Sequence, residues 1–300
     1  VSPAAITYAI PFYSGVTYLA RAVQSLVAQT DPDWEAHVCD DGAPEGVEEI
    51  VRAFGDGRVR YLRNPQNLGM GRNFNRCIEV ARTELVTIVH NDDELKPTYG
   101  AKMREAAARY PGAVALFCRT DVIDEQGEPR FSVPDVVKDV FVSPSRTRDI
   151  VLEGEAGIRA LLRGNFINAP TLCFRKSVLG ARRFDPQYKF VLDCELTSQL
   201  LLDGDTIVGI PDRCYRYRRH AEAATSQYTR TQLRFFEESA YYDRMRVAAD
   251  QRGWPQTASM ARDKRMVKLN LAYRALKDLA LLQFGDAARG FRLLRDLGRV

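Results

Sequence analysis

Two hydrophobic periods alternate along residues 6–89, and that alternation narrows the fold more than any other feature. The runs Ile6–Ile10, Trp34–Val38, Val59–Leu62 and Leu85–Val89 are short and mostly β-branched or aromatic, as buried strands are. Between them, Tyr18–Ala28, Gly46–Phe54 and Gly71–Ala81 read as helices; in the first, Leu19, Val23, Leu26 and Val27 share one face. Strands alternating with helices of this length predict βαβ units around a parallel sheet. Past Tyr110 the pattern loosens. Ala113–Arg119 reads as a strand and Asp121–Gly127 as a turn-rich return. Residues 128–150, with Pro129, Pro134 and Pro144, read as a long loop or lid. A helix is expected over Asp149–Arg163, a strand over Thr171–Arg175 and a helix over Val191–Leu202. Ile207–Ile210 and Cys214–Arg218 look like two final strands. From Thr229 onward the chain reads as helical, over Gln232–Gln251, Gln256–Gln283 and Asp286–Arg295. The stripe Leu269, Tyr273, Leu276, Leu279 and Leu282 has the spacing of a packed helix face.

The chemistry gathers where apolar runs stop on acids. Leu85–Val89 ends on His90-Asn91-Asp92-Asp93-Glu94, and ionised carboxylates resist burial unless paired or metal-bound. In an open α/β sheet that position is the ligand crevice, and hard oxygen donors there suit Mg²⁺ or Mn²⁺ holding a diphosphate. The plainer alternative has Asn91 or Asp92 capping a helix through Thr98–Ala108. A second acidic end is Asp40-Asp41-Gly42, and a third candidate is Asp193 beside Glu195. Between the first two lies Asn64-Pro65-Gln66-Asn67-Leu68-Gly69-Met70-Gly71-Arg72-Asn73. Its glycines would let backbone approach a ligand, and Arg72 could pair with phosphate. The glycine spacing is neither a P-loop nor a dinucleotide fingerprint.

Composition sets the frame. The chain has 300 residues, 45% apolar and 27% charged, as in soluble globular proteins. A net charge of +4 does not suggest nucleic acid. The charge is uneven: residues 230–300 hold 15 Lys or Arg against 8 Asp or Glu, a basic tail on a slightly acidic body. Cys39, Cys77, Cys118, Cys173, Cys194 and Cys214 show no paired spacing and sit mostly in apolar runs, which suits a reducing cytosol. With no apolar run of about 18 residues and no signal pattern, the expected location is cytoplasmic, with peripheral contact at the inner membrane face left open.

Taken together, these motifs resemble family 2 glycosyltransferases of the GT-A fold, over roughly residues 5–226. The opening Ile10-Pro11-Phe12-Tyr13-Ser14 is similar to that family's first strand end, and Ser25-Leu26-Val27-Ala28-Gln29 to the end of its first helix. Asp40-Asp41-Gly42 matches its base-receiving acidic pair, with Ala43 in place of the usual Ser. Asn67-Leu68-Gly69 followed by Arg72-Asn73 matches its second signature. Asp121–Gly127, Asn168–Thr171 and Phe184-Asp185-Pro186 fall in the family's order. Leu192-Asp193-Cys194-Glu195-Leu196 stands where the family places its catalytic base, and Tyr215–His220 resembles its terminal Tyr-Arg-x-His. One departure stands out: the usual Asp-x-Asp-Asp is His90-Asn91-Asp92-Asp93.

The resemblance implies a Rossmann-like, mostly parallel sheet flanked by helices, with a C-terminal helical extension. It divides the chain into a catalytic domain over 1–226 and helices over 227–300 for packing, dimerisation or membrane-surface contact. Within the first, 1–110 would bind the nucleotide sugar and 111–226 the acceptor. The implied activity is inverting, Mn²⁺- or Mg²⁺-dependent transfer from a nucleotide sugar, probable donor a UDP-sugar, to a glycan, lipid-linked or small-molecule acceptor. Asp193 would be the base, with a helix cap as its plainer role. Asp93, Asp92, His220 and His90 would hold metal; His90 could equally donate to the sugar or simply end a strand. Pro11, Tyr13, Asp40, Asp41, Asn67, Gly69, Arg72, Asn73, Asp92 and Arg218 would bind the nucleotide sugar. The competing readings are a nucleotidyltransferase, disfavoured because Pro11–Val16 has no Lys or Arg, and a binding protein that has lost catalysis.

Overall fold

A computed structural model describes residues 5–42 and 46–297. Nine strands build one sheet: β1 (Ile6–Phe12), β2 (Trp34–Asp40), β3 (Val59–Arg63), β4 (Leu85–Ile88), β5 (Glu94–Leu95), β6 (Ala113–Ile123), β7 (Ile150–Leu152), β8 (Cys173–Arg175) and β9 (Thr206–Arg218). Their order is β3-β2-β1-β4-β8-β6-β9-β5, with β7 also on β9. The first four are parallel, as the alternation predicted. β8 runs antiparallel to both β4 and β6, while β6 and β9 are parallel. Because β1 leads to β2 on one side and is flanked by β4 on the other, a crevice opens beyond their C-terminal ends.

Period-two alternation divides the core between the sheet's faces. Ile6, Tyr8, Ile10 and Phe12 of β1 pack with Leu19, Val23 and Leu26 from the Val16–Val27 helix. Ala9, Val86 and Ile88 face the other way, against Cys77 and Ile78 of the Met70–Val80 helix and Leu196 and Leu200 of the Leu192–Leu202 helix. Phe235, Tyr241, Tyr242 and Met245 of the Leu233–Gln251 helix join that second cluster, so the helical extension starts as part of the core.

Five expectations change. The two final strands are one: Cys118 pairs Ile210 and Arg119 pairs Arg213, so Pro211 and Asp212 bulge out where a strand proline can be carried. Asp149–Arg163 is not a single helix, because Ile150–Leu152 pairs with β9 and the helix begins at Gly154. Residues 128–150 hold a short helix, Val133–Val137, continued by a π-helical turn, Lys138–Val142. Gln256–Gln283 is broken at Lys264, a left-handed residue (φ 46°) whose Nζ donates to Asp243 Oδ2 at 2.7 Å and Ser239 Oγ at 2.9 Å. The Leu269 stripe is also not the packed face. Val267, Leu271 and Ala275 are buried instead, and a Cβ on Gly290 would lie 2.9 Å from that of Ala275. Small residues let the two last helices approach on that side and leave the leucines outside. No described helix is long and apolar enough to cross a membrane.

At Gly209 in β9, an added Cβ would sit 2.2 Å from the Phe117 ring. We expect Gly209→Ala to cost about 1–3 kcal/mol through overpacking, read as a lower urea midpoint with an unchanged m-value.

Candidate active site

The loop between β3 and the Met70–Val80 helix is built around Asp41. This buried carboxylate accepts Leu68 N at 2.8 Å and Asn64 Nδ2 at 2.9 Å on Oδ1, and Gly69 N at 2.9 Å on Oδ2. Asn67 Nδ2 donates to the Asp41 carbonyl at 3.0 Å, and Asn73 bonds Cys39 O and Asn64, each at 3.0 Å. Asp40 accepts from Tyr61 Oη and from Gly42 N at 3.0 Å. Asp41, Asn67, Gly69 and Asn73 therefore use these hydrogen bonds to shape the loop between β3 and the Met70–Val80 helix, while Asp40 ties the end of β2 to Tyr61 of β3. Gly71 does not offer backbone to a ligand as expected: its bare Cα admits Pro186, whose Cα would lie 2.9 Å from an added Cβ. Arg72 and Tyr13 are exposed, Pro11 is partly so, and Arg72 has no ion pair among the described residues.

Beyond β4, His90, Asp92 and Asp93 each bring a donor atom within 4.8 Å of the others. Their roles separate. Asp93 is 1% exposed and accepts Arg218 N at 2.7 Å and Tyr215 Oη at 3.1 Å. Burial and the neighbouring Asp92 charge push its carboxyl well above the ordinary range. Asp92 is partly exposed, with Oδ2 2.9 Å from His220 Nε2. Burial would raise its pKa, but the His220 bond and nearby His90 outweigh it and hold the group below its usual value. Burial lowers the His90 imidazole against the pull of Asp92 and Asp193, which favours the neutral, ligating form. Carboxylate oxygen with imidazole nitrogen is a donor set that fits Mn²⁺ better than Mg²⁺. The paired Asp92 and His220, with His90 beside them, fit such an ion; Asp93 fits the part of the residue that holds the turn.

Arg218 departs most from expectation. At 1% exposure it has no face for a diphosphate. Its Nε donates to Asp92 O at 2.7 Å, Nη1 to Asp124 O at 2.7 Å and Glu125 O at 3.2 Å, and Nη2 to Glu94. The Tyr18 ring lies 5.0 Å from the guanidinium and 5.1 Å from the His220 ring, covering both.

On the opposite wall, Asp193 opens the Leu192–Leu202 helix. Asn165 Nδ2 donates to it at 3.2 Å. Burial raises its carboxyl above the ordinary value, and Lys138 pulls it back. Lys138, on the π-helical turn, donates to Asn168 Oδ1 at 2.6 Å and Ile167 O at 3.2 Å, and burial brings its ammonium down to about 8. Glu195 is committed elsewhere, paired with Arg244. Glu237 of the extension accepts the N–H groups of Lys189, Phe190 and Val191 at 2.7–3.2 Å, fixing the entry to the Asp193 helix. Lys138, Asn165 and Glu237 were not read from the sequence, because none stands in a periodic run or a recognisable motif.

The sheet and its acidic crevice define a GT-A fold. TarS of S. aureus (residues 1–349) in complex with UDP-GlcNAc aligns with TM-score 0.61 at 16% identity, over 98% of this chain and 91% of that one. A mannosyltransferase from Pyrobaculum calidifontis, in complex with GDP-Man and Mn²⁺, aligns at 0.59 and 16%, over 98% and 82%. Sequence then settles the family. The pattern described as "Glycosyl transferase family 2" matches residues 7–169, and the chain belongs to that family. It is 36% identical over 228 residues to an uncharacterized protein of Mycobacterium tuberculosis, covering 73% of this chain and 68% of that protein. It is 27% identical to glycosyltransferase GlyG of Streptococcus pneumoniae, over 72% and 71% of the two chains.

Replacing Arg218 by Met would take the donor from the Asp92 and Asp124 carbonyls and leave Glu94 with only the longer contact to Arg216. We expect a loss of about 3–5 kcal/mol, seen in thermal melts. Arg72→Met, on the surface, is expected to leave the melt unchanged.

Proposed function

We propose that this protein is an inverting, divalent-metal-dependent glycosyltransferase. It would move a hexosyl or N-acetylhexosaminyl group from a nucleoside diphosphate donor, a UDP-sugar by preference, to an acceptor hydroxyl. The observation that carries this reading is a pair of acidic groups of opposite character whose charges both bear on His90. Asp92 is partly exposed, paired with His220 and held ionised. Asp193 is likewise only partly exposed, but its pKa is raised and its charge bears on His90. Two carboxylates pushed apart in this way suit separate roles. UDP-GlcNAc in TarS and GDP-Man with Mn²⁺ in the archaeal enzyme support a nucleotide-sugar donor and a metal of that type.

Asp92, His220 and His90 would hold the ion, which when bound supplies charge relief on the departing diphosphate. The chain does the rest. Asp193 takes the proton from the acceptor hydroxyl as its oxygen bonds to the anomeric carbon, and the bond to the diphosphate breaks with its electron pair leaving on phosphate. A single displacement from the opposite face inverts that carbon. Asn165 orients Asp193, and Lys138 keeps it ionised. Arg72 and the exposed Tyr13, with Pro11, border the donor crevice; the Asp41-centred loop gives the base its seat. We also propose that residues 1–226 carry this chemistry in a cytoplasmic setting, consistent with cysteines that are all free, and that the 227–300 helices brace it.

The decisive experiment is a calorimetric panel of UDP, GDP, CMP and dTDP with and without Mn²⁺. We expect one nucleotide to bind, UDP first, with the heat lost on adding EDTA; silence from all four would sink the reading. Asp193→Asn is expected to keep that binding while transfer falls roughly 10²–10⁴-fold. Turnover should also fade as pH drops through the raised Asp193 pKa. Lys138→Met removes the charge that pulls this value down, so the acid limb should move to higher pH. A limb that stays put would take Lys138 out of the site.

A further inference from the structure

The Arg265–Ala280 helix turns Val267, Leu271, Ala275 and Asp278 into the protein. Its other face leaves Leu269, Tyr273 and Leu276 exposed, the last by 57%. Spacings of four and three put them on one stripe. The turn that follows adds Leu281, Phe284 and Leu282, the last 73% exposed. Apolar surface left open on this scale marks a contact.

The charge on this face has one sign. Arg265, Lys268 and Lys277 edge the stripe, and none has an ion-pair partner among the described residues. The helix's only acid, Asp278, is buried and tied to Arg274 at 2.8 Å. A second copy of the chain answers this badly, because two-fold pairing sets a patch against itself and would bring cation against cation. A bilayer with anionic headgroups answers both features: phosphates meet the lysines and arginine while the leucines enter the acyl boundary.

The same helix also meets the segment that carries Lys138. Val142 and Met266 converge on Gly164, where an added Cβ would lie 2.9 Å from Val142 Cγ1 and 3.4 Å from Met266 Cε. The segment that ends at Val142 exposes Phe131 and Phe141, the latter by 78%. Exposed Arg130, Arg146 and Arg148 flank it. We propose that the outer face of Arg265–Ala280, the turn through Phe284 and the Phe131–Phe141 segment dock on a membrane surface bearing anionic lipid. This docking does not depend on the role given to Asp193.

Flotation with vesicles tests it, using the purified chain with phosphatidylcholine alone and with phosphatidylcholine mixed with phosphatidylglycerol. We expect co-flotation with the anionic vesicles only, weakened by salt. Leu269→Ser with Leu276→Ser should lower binding by about tenfold or more, and Lys268→Gln with Lys277→Gln by about fivefold per charge. All four side chains lie away from the acidic crevice, so the melt and nucleotide heats should not change. No flotation with phosphatidylglycerol vesicles, or flotation that neither pair alters, overturns the proposal. So does a dimer mass by light scattering that the Leu pair reduces to a monomer, which would make this face a subunit contact.

Discussion

The buried guanidinium of Arg218 is the interaction on which the site depends. Removing a charge from water is costly unless its hydrogen bonds are nearly all replaced. Here they are replaced by the Asp92 carbonyl after β4, the Glu94 carboxylate of β5 and two carbonyls of the turn after β6. Its own backbone N–H meanwhile meets Asp93. Two chain segments, 92–94 and 124–125, thus share one cation carried on a third. Asp92 is left as the acid of the pair that faces outward, and Tyr18 closes the cation from above.

Much of this was legible in the sequence, and the reasons can be given residue by residue. The first four strands were recognisable because β-branched runs such as Leu85–Ile88 are buried on both faces and carry their own signal. The acids at 92, 93 and 193 stood out because carboxylates beside apolar runs need a cause. The partition of labour among them was not legible. Asp93 and Arg218 match a functional pattern in type and order, yet whether such a group meets substrate or backbone is decided by tertiary contacts. The same holds for Asp41, whose acceptors are filled by a loop nearly thirty residues on. The Leu269 stripe misled for a related reason: helical periodicity identifies an apolar face but not what covers it, and a small-residue face packs more closely.

The helical extension is more than an appendage. Its first long helix supplies aromatic side chains to the cluster under the sheet and, through Glu237, terminates the free N–H groups ahead of the Asp193 helix. An unpartnered helix start is a soft point in a fold. Satisfying it from a distant helix stiffens the entry to the Asp193 helix.

The seam at Gly71 has a consequence of its own. Pro186 sits against a position with no side chain, and one helical turn further Asn75 exchanges two hydrogen bonds with the Phe184 backbone, at 2.8 and 2.9 Å. The segment leading to Asp193 is thereby seated directly on the Met70–Val80 helix. A single methyl at residue 71 would act like a shim in a precision joint, parting the Met70–Val80 helix from the segment that leads to Asp193.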